Sequence, residues 1–191
     1  MQTIHVQATL GTGDCEDCGF YDYGHFQITF ADGSVVAGGY DGHLGGGPWD
    51  GQMSTLYQWC LAKLGYVVQV DGVTNIVSVL YQYKPAPEYG TEAVALFDGP
   101  LEPLNLRTTR VPSPEYPEYD IEAALDFPAV TSGGALRLAT VHAPVNLPPA
   151  QVLDWDGDWD RVYRLLLEQR CHLTVEEHRE ADDETGDDGD Y

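Results

Sequence analysis

The stretch Thr3-Ile4-His5-Val6-Gln7-Ala8-Thr9-Leu10, answered by Phe26-Gln27-Ile28-Thr29-Phe30-Ala31-Asp32-Gly33-Ser34-Val35-Val36-Ala37, decides the fold. In the first segment Ile4, Val6, Ala8 and Leu10 share one phase, and Thr3, His5, Gln7 and Thr9 share the other, which is the period of a half-buried strand. Phe26, Ile28 and Phe30 repeat it, and Asp32-Gly33 stands before the next apolar run as a two-residue hairpin signal. A second Asp-Gly pair, Asp71-Gly72, separates residues 66–70 from 73–83, so two antiparallel hairpins are expected in the first 84 residues.

Between the hairpins, Met53, Leu56, Tyr57, Cys60, Leu61 and Leu64 follow a helical stripe, with Asp50 as the expected cap and Gly65 placed to end it. A second helix is expected over 158–170, where Trp159, Val162, Tyr163, Leu166 and Leu167 are apolar and Asp160 and Arg170 suit the helix dipole at either end. Eleven of the 12 prolines fall between Pro85 and Pro149, a density that breaks long helices and favours short strands, expected at 92–97, 104–111 and 135–143. The expected class is α+β: strand-dominated antiparallel hairpins packed with one or two helices. One compact domain over 1–173 is expected, proline-rich from about residue 85, followed by a disordered acidic tail over 174–191.

The chain has 191 residues, with 31 Asp and Glu against 9 Lys and Arg, a formal charge of −22. A polyanionic surface does not bind DNA or RNA directly, because affinity for phosphates comes from cations. Nine of the acids lie in 174–191, but the remaining body still carries 22 acids to 8 bases. No run of about 18 apolar residues occurs, and the N-terminus has neither a basic nor an apolar leader segment, so a soluble, cytoplasmic protein is expected.

Cys15-Glu16-Asp17-Cys18 is half of a zinc site, with His5, His25 or His43 as candidates to complete it. The flanking acids raise thiol pKa values and oppose redox chemistry, and no second ligand pair accompanies the motif, so no tightly held cofactor is expected. The loop 38–50 is glycine-rich and precedes a helix, but no Lys or Arg occurs before Lys63, which argues against phosphate binding.

Two acidic clusters are the expected partner surface. Asp154, Trp155, Asp156, Asp158, Trp159 and Asp160 interleave acids with tryptophans, the mixture found in interface hot spots. They match the first positions of a calcium loop, but Trp159 and Leu165 stand where its glycine and glutamate belong. Pro-Glu-Tyr occurs three times, twice in tandem as Glu115-Tyr116 and Glu118-Tyr119 running on into Asp120; in a polyproline II conformation these would form a ladder of carboxylates and rings repeating every ~9 Å. No H-E-x-x-H, G-x-S-x-G or Walker pattern is present, and no pair of carboxylates is singled out among so many, so an enzyme is not expected.

In composition and size the chain resembles the DNA-mimic inhibitors that phages carry against restriction and CRISPR systems, and the immunity proteins that neutralise nuclease toxins. The resemblance rests on acidity and involves no shared motif. It implies a partner that is a basic nucleic-acid-binding protein whose groove is occupied and blocked. The other expectation is a virion or metal-binding protein whose acidity, with only two lysines, reflects adaptation to high salt.

Overall fold

The computed structural model describes residues 2–17, 19–42, 51–74, 81–86, 90–95, 99–112, 114–115, 117–125, 136–144, 146 and 159–180. In chain order the elements are β1 (Gln2–Cys15), β2 (Gly19–Phe30), β3 (Val35–Asp41), α1 (Met53–Lys63), β4 (Tyr66–Val70), β5 (Val73–Thr74), β6 (Tyr81–Ala86), β7 (Gly90–Ala95), β8 (Glu102–Arg110), β9 (Tyr119–Leu125), β10 (Leu136–Pro144), α2 (Trp159–Glu168) and β11 (Cys171–Arg179). The class is α+β with strands dominating, as the alternation predicts. The chain forms two compact units, one combining Met1–Gly51 with Cys171–Tyr191 and a second spanning Gln52–Arg170.

The first unit is a four-stranded sheet in the order β11-β1-β2-β3, with β11 parallel to β1 and the other neighbours antiparallel. Ile4, Val6, Ala8, Phe26, Ile28, Phe30 and Val36 fall on one face by register and are buried, while His25 and Gln27 of the opposite phase are exposed. Four residues, 31–34, separate β2 from β3, and because Phe30 and Ser34 are hydrogen-bonded the loop itself has three residues, 31–33, rather than the expected two. Phe30 N–H donates to the Ser34 carbonyl, 2.9 Å, and Gly33, at φ 79°, supplies the left-handed residue that such a loop needs. Asp32 Oδ1 fixes the turn by accepting from Ser34 N at 2.9 Å and Ser34 Oγ at 2.5 Å.

The expected tail boundary at residue 174 is corrected by β11, which runs on to Arg179. Cys171 is buried and Leu173 and Val175 are half-buried, continuing the period-2 pattern beside Gln2, Ile4 and Val6. The acids occupy positions the sheet can tolerate. Glu176 accepts from Gln7 Nε2 at 3.0 Å, and Arg179 forms an ion pair with Glu177 at 2.8 Å. Residues 181–191 of the expected tail lie outside the described residues.

In the second unit a five-stranded sheet runs β10-β9-β8-β4-β5, with β4 and β8 parallel, and β6 and β7 form a separate hairpin. Here the expected Asp-Gly turn is present, with Asp71 at φ 49° and Gly72 at φ 81° joining β4 to β5 in a two-residue turn, but β5 is only Val73–Thr74, and residues 81–83 of the expected strand belong to β6, which pairs with β7. Asp71 also ties that turn to β8, accepting from Thr108 N at 3.0 Å and from the Thr108 hydroxyl. Helix α1 is buried over more than the expected stripe, since Trp59 and Ala62 are 1% exposed alongside Leu56, Cys60 and Leu61. A helix buried almost all round is covered on more than the single face its stripe predicts. Gly65, at φ 90°, follows its C-cap as expected and donates to the Ala62 carbonyl at 2.9 Å. Among the described residues no helix is long and apolar enough to cross a membrane.

Candidate functional site: the acidic end of the first sheet

β1 has 14 residues, so it extends about 46 Å at ~3.3 Å per residue, well beyond an ordinary strand. Along its inner phase the environment changes from Ile4 and Val6, both 0% exposed, to Thr12 and Asp14, which are exposed. The β1–β2 hairpin therefore leaves its core midway and continues as a two-stranded ribbon. Register sets Asp14 opposite Phe20, Thr12 opposite Asp22 and Tyr23 opposite Asp41. Glu16 and Asp17 lie exposed in the connecting turn, and Glu180 lies at the ribbon's inner end, where its N–H donates to the Leu10 carbonyl at 2.8 Å.

The other face of the ribbon is built by glycine and tyrosine. Rings of Tyr21 and Tyr23 lie across Gly13 and Gly11, where an added Cβ would come within 2.5 Å of the ring carbons. The glycines are thus covered by the aromatic side chains of the partner strand. Tyr23 Oη donates to Glu180 Oε2 at 2.5 Å, which holds the end of β11 to the ribbon. Phe20 is 85% exposed, the most exposed of the large apolar side chains among the described residues. An aromatic ring paired across the ribbon with Asp14, in phase with Asp22 and next to the turn that carries Glu16 and Asp17 combines an apolar anchor with nearby negative charge.

Charge is divided unequally between the units. The first unit holds 16 acids and one base, Arg179, in the smaller part of the chain; the second holds 15 acids and 8 bases. Without residues 181–191 the first unit still has ten acids to one base.

The expected site residues fare differently. Trp159, expected as a surface anchor, is corrected: it is 4% exposed and packs against the Tyr163 ring at 5.8 Å between centroids, on the buried stripe of α2. Asp160 has a structural role, its Oδ1 accepting the Ser54 backbone N–H of α1 at 2.6 Å. Gln52, the N-cap of α1, makes no side-chain capping bond and no acid lies in that helix's first turn, so Asp160 caps it from another helix. Asp50, the expected cap, and Asp154, Trp155, Asp156 and Asp158 lie outside the described residues.

The tandem ladder is also corrected. Glu115 lies in a bend and Glu118 in a turn, both exposed, and Tyr119 and Asp120 open β9; a bend and a turn break the continuous three-residue rise on which a polyproline II ladder depends. Tyr116 lies outside the described residues. Cys15 is half-buried at the end of β1, while Cys18 and His43 are outside the described residues. His5 is ten residues from Cys15 along the same strand, about 33 Å, and His25 pairs with Thr9, about 20 Å away, so neither completes a site with Cys15. Among the described residues no group of three His, Cys, Asp or Glu side chains is placed to hold a metal ion.

No protein-family model, no curated protein and no solved structure matches the chain.

Proposed function

We propose that this is a non-enzymatic acidic binding protein that occupies the nucleic-acid groove of a basic enzyme inside the cell and blocks it, without a cofactor. The observation that carries this reading is the concentration of negative charge on a long ribbon whose outer end displays Phe20 near Asp14, Glu16, Asp17 and Asp22. A two-stranded ribbon is narrow enough to enter a groove shaped for a nucleic-acid strand, and its carboxylates meet the Lys and Arg side chains that normally hold phosphates. Adaptation to high salt would spread acids over every surface. Here the second unit, the larger one, has nearly as many acids but offsets half of them with bases.

The test is capture of basic proteins on the immobilised chain in dilute buffer, followed by competition with duplex DNA and a salt titration. Binding should fall steeply with salt, DNA should displace the partner, and changing Asp14, Asp17 and Asp22 together to Lys should weaken binding at least about tenfold with the fold intact, corresponding to about 1.4 kcal/mol. Recovery of no basic partner, or equal binding by the triple variant, overturns the reading. Loss of circular dichroism signal in dilute buffer would identify salt adaptation instead.

A further inference from the structure

The two edges of the first sheet are defended unequally. β11 carries Glu176, Glu177 and Arg179 in its second half, charged side chains of the kind that keep an edge strand from pairing with another chain. β3, the opposite edge, reads Val35-Val36-Ala37-Gly38-Gly39-Tyr40-Asp41 and has neither a proline nor a charge before its last residue. Its register with β2 runs from Thr29↔Val35 to Tyr23↔Asp41 without a bulge, so the edge is continuous.

Backbone hydrogen bonding shows which groups that edge presents. Phe30 N–H donates to the Ser34 carbonyl at 2.9 Å and Gly42 N–H donates to the Asp22 carbonyl at 2.8 Å, one pair at each end of the ladder. In an antiparallel pair such positions alternate, so Val36, Gly38 and Tyr40 bond to β2 while Val35, Ala37 and Gly39 direct their N–H and C=O groups outward. Among the described residues no strand takes up these outward groups. Val35 is 53% exposed and Ala37 is exposed, while Gly38 and Gly39 are half-buried and lie under the Phe26 and His25 side chains of β2.

We propose that β3 is a strand-addition site that receives an extended, lysine- or arginine-bearing segment of the basic partner. The proposal rests on the reading of a basic partner and adds how that partner is gripped. Backbone pairing along 35–39 supplies affinity, and the surrounding charge selects the occupant. A second copy of the chain is disfavoured, because two units of this composition would bring their acids together. A basic strand meets the opposite field, with Asp41 and the ribbon acid Asp22 at the same end of β3.

The probe is a capped decapeptide of alternating lysine and valine, with an alternating glutamate and valine peptide as control. Amide hydrogen exchange is read residue by residue on the intact chain. The basic peptide should slow exchange at Val35, Ala37 and Gly39 at least tenfold, less so at high salt, and the acidic peptide should leave those amides unchanged. Ala37→Pro removes an outward donor at an edge position where proline is tolerated, and should weaken the basic peptide at least tenfold; Ala37→Ser, which keeps the donor, should bind like the parent. Should Ala37→Pro fail to fold, Val35→Pro makes the same test at the start of the strand. No protection at these amides, protection on β11 instead, or protection that grows with protein concentration alone overturns the proposal, the last by identifying a second copy as the occupant. Protection by the peptide without DNA-competed capture of a basic protein would leave strand addition standing and overturn the groove-blocking reading.

Discussion

Replacing Asp160 tests whether one helix is capped by another. The carboxylate stands 2.6 Å from Ser54 N, at an N-terminus whose own cap residue, Gln52, makes no side-chain capping bond. Losing a capping side chain costs about 0.5–2 kcal/mol, and losing a negative charge from a helix N-terminus about 0.3–1 kcal/mol. These overlap, because the same oxygen supplies both, and Asp160→Ala should therefore destabilise by about 2 kcal/mol. For a chain of this size that corresponds to a fall in Tm of about 4–8 °C. Asp160→Asn retains an acceptor and should lose about half as much. Gln52→Asp in the Asp160→Ala background offers α1 a local cap and should recover roughly 1 kcal/mol. Urea unfolding monitored by tryptophan fluorescence measures all four proteins. A change below about 0.5 kcal/mol in Asp160→Ala, or no recovery on adding Gln52→Asp, would refute the cross-helix cap.

Truncation before Thr174 removes the β11 residues paired with His5 to Leu10 and should cost more than about 2 kcal/mol; a Tm equal to that of the full chain would contradict the strand assignment. Tyr163 is 2% exposed, and burial raises its hydroxyl pKa far above the ordinary tyrosine range. The raised value favours the neutral phenol in the fold, so its contribution to stability is complete below about pH 10, the unfolded value, and is lost as pH climbs beyond it. Unfolding curves at pH 8 and pH 11 should show a steeper alkaline loss for the parent than for Tyr163→Phe, and equal losses would contradict this.

How much of this was legible in the sequence depends on whether a residue's neighbours were local. The alternation of Ile4, Val6 and Ala8 and the Asp71-Gly72 turn were readable because burial and positive φ leave direct marks on residue choice. The outer half of β1 was not. Gly11, Gly13 and Asp14 have no apolar partner phase, since neither face of the ribbon meets a core there and the signal of period 2 comes from burial. Its only mark was tyrosine at 21 and 23 with glycine at 11 and 13, which become complementary once register is known. β11 was concealed by reading charge density ahead of the alternation of Cys171, Leu173 and Val175. Trp159 carried conflicting marks, acids before it and a helical stripe after it, and the stripe prevailed because an indole gains more from burial than from display. The role of Asp160 could not be read from spacing, as its partner is 106 residues away.

The salt dependences of folding and binding separate function from habitat, because they have opposite signs for this arrangement. Two carboxylates about 10 Å apart in water repel by only about 0.4 kcal/mol, and physiological salt, with a Debye length of about 8 Å, screens much of that. An exposed ribbon is therefore an inexpensive place for Asp14, Glu16, Asp17 and Asp22, and adding salt should raise the stability of the fold only modestly. A basic groove closing over the same carboxylates brings opposite charges within a few ångströms in a partly dehydrated setting, where salt competes directly and affinity falls. Acids kept for salt adaptation would instead make stability strongly salt-dependent. Without residues 181–191 the first unit has ten acids to one base, against 15 to 8 in the second, so the charge imbalance that this pair of measurements probes lies in the first unit.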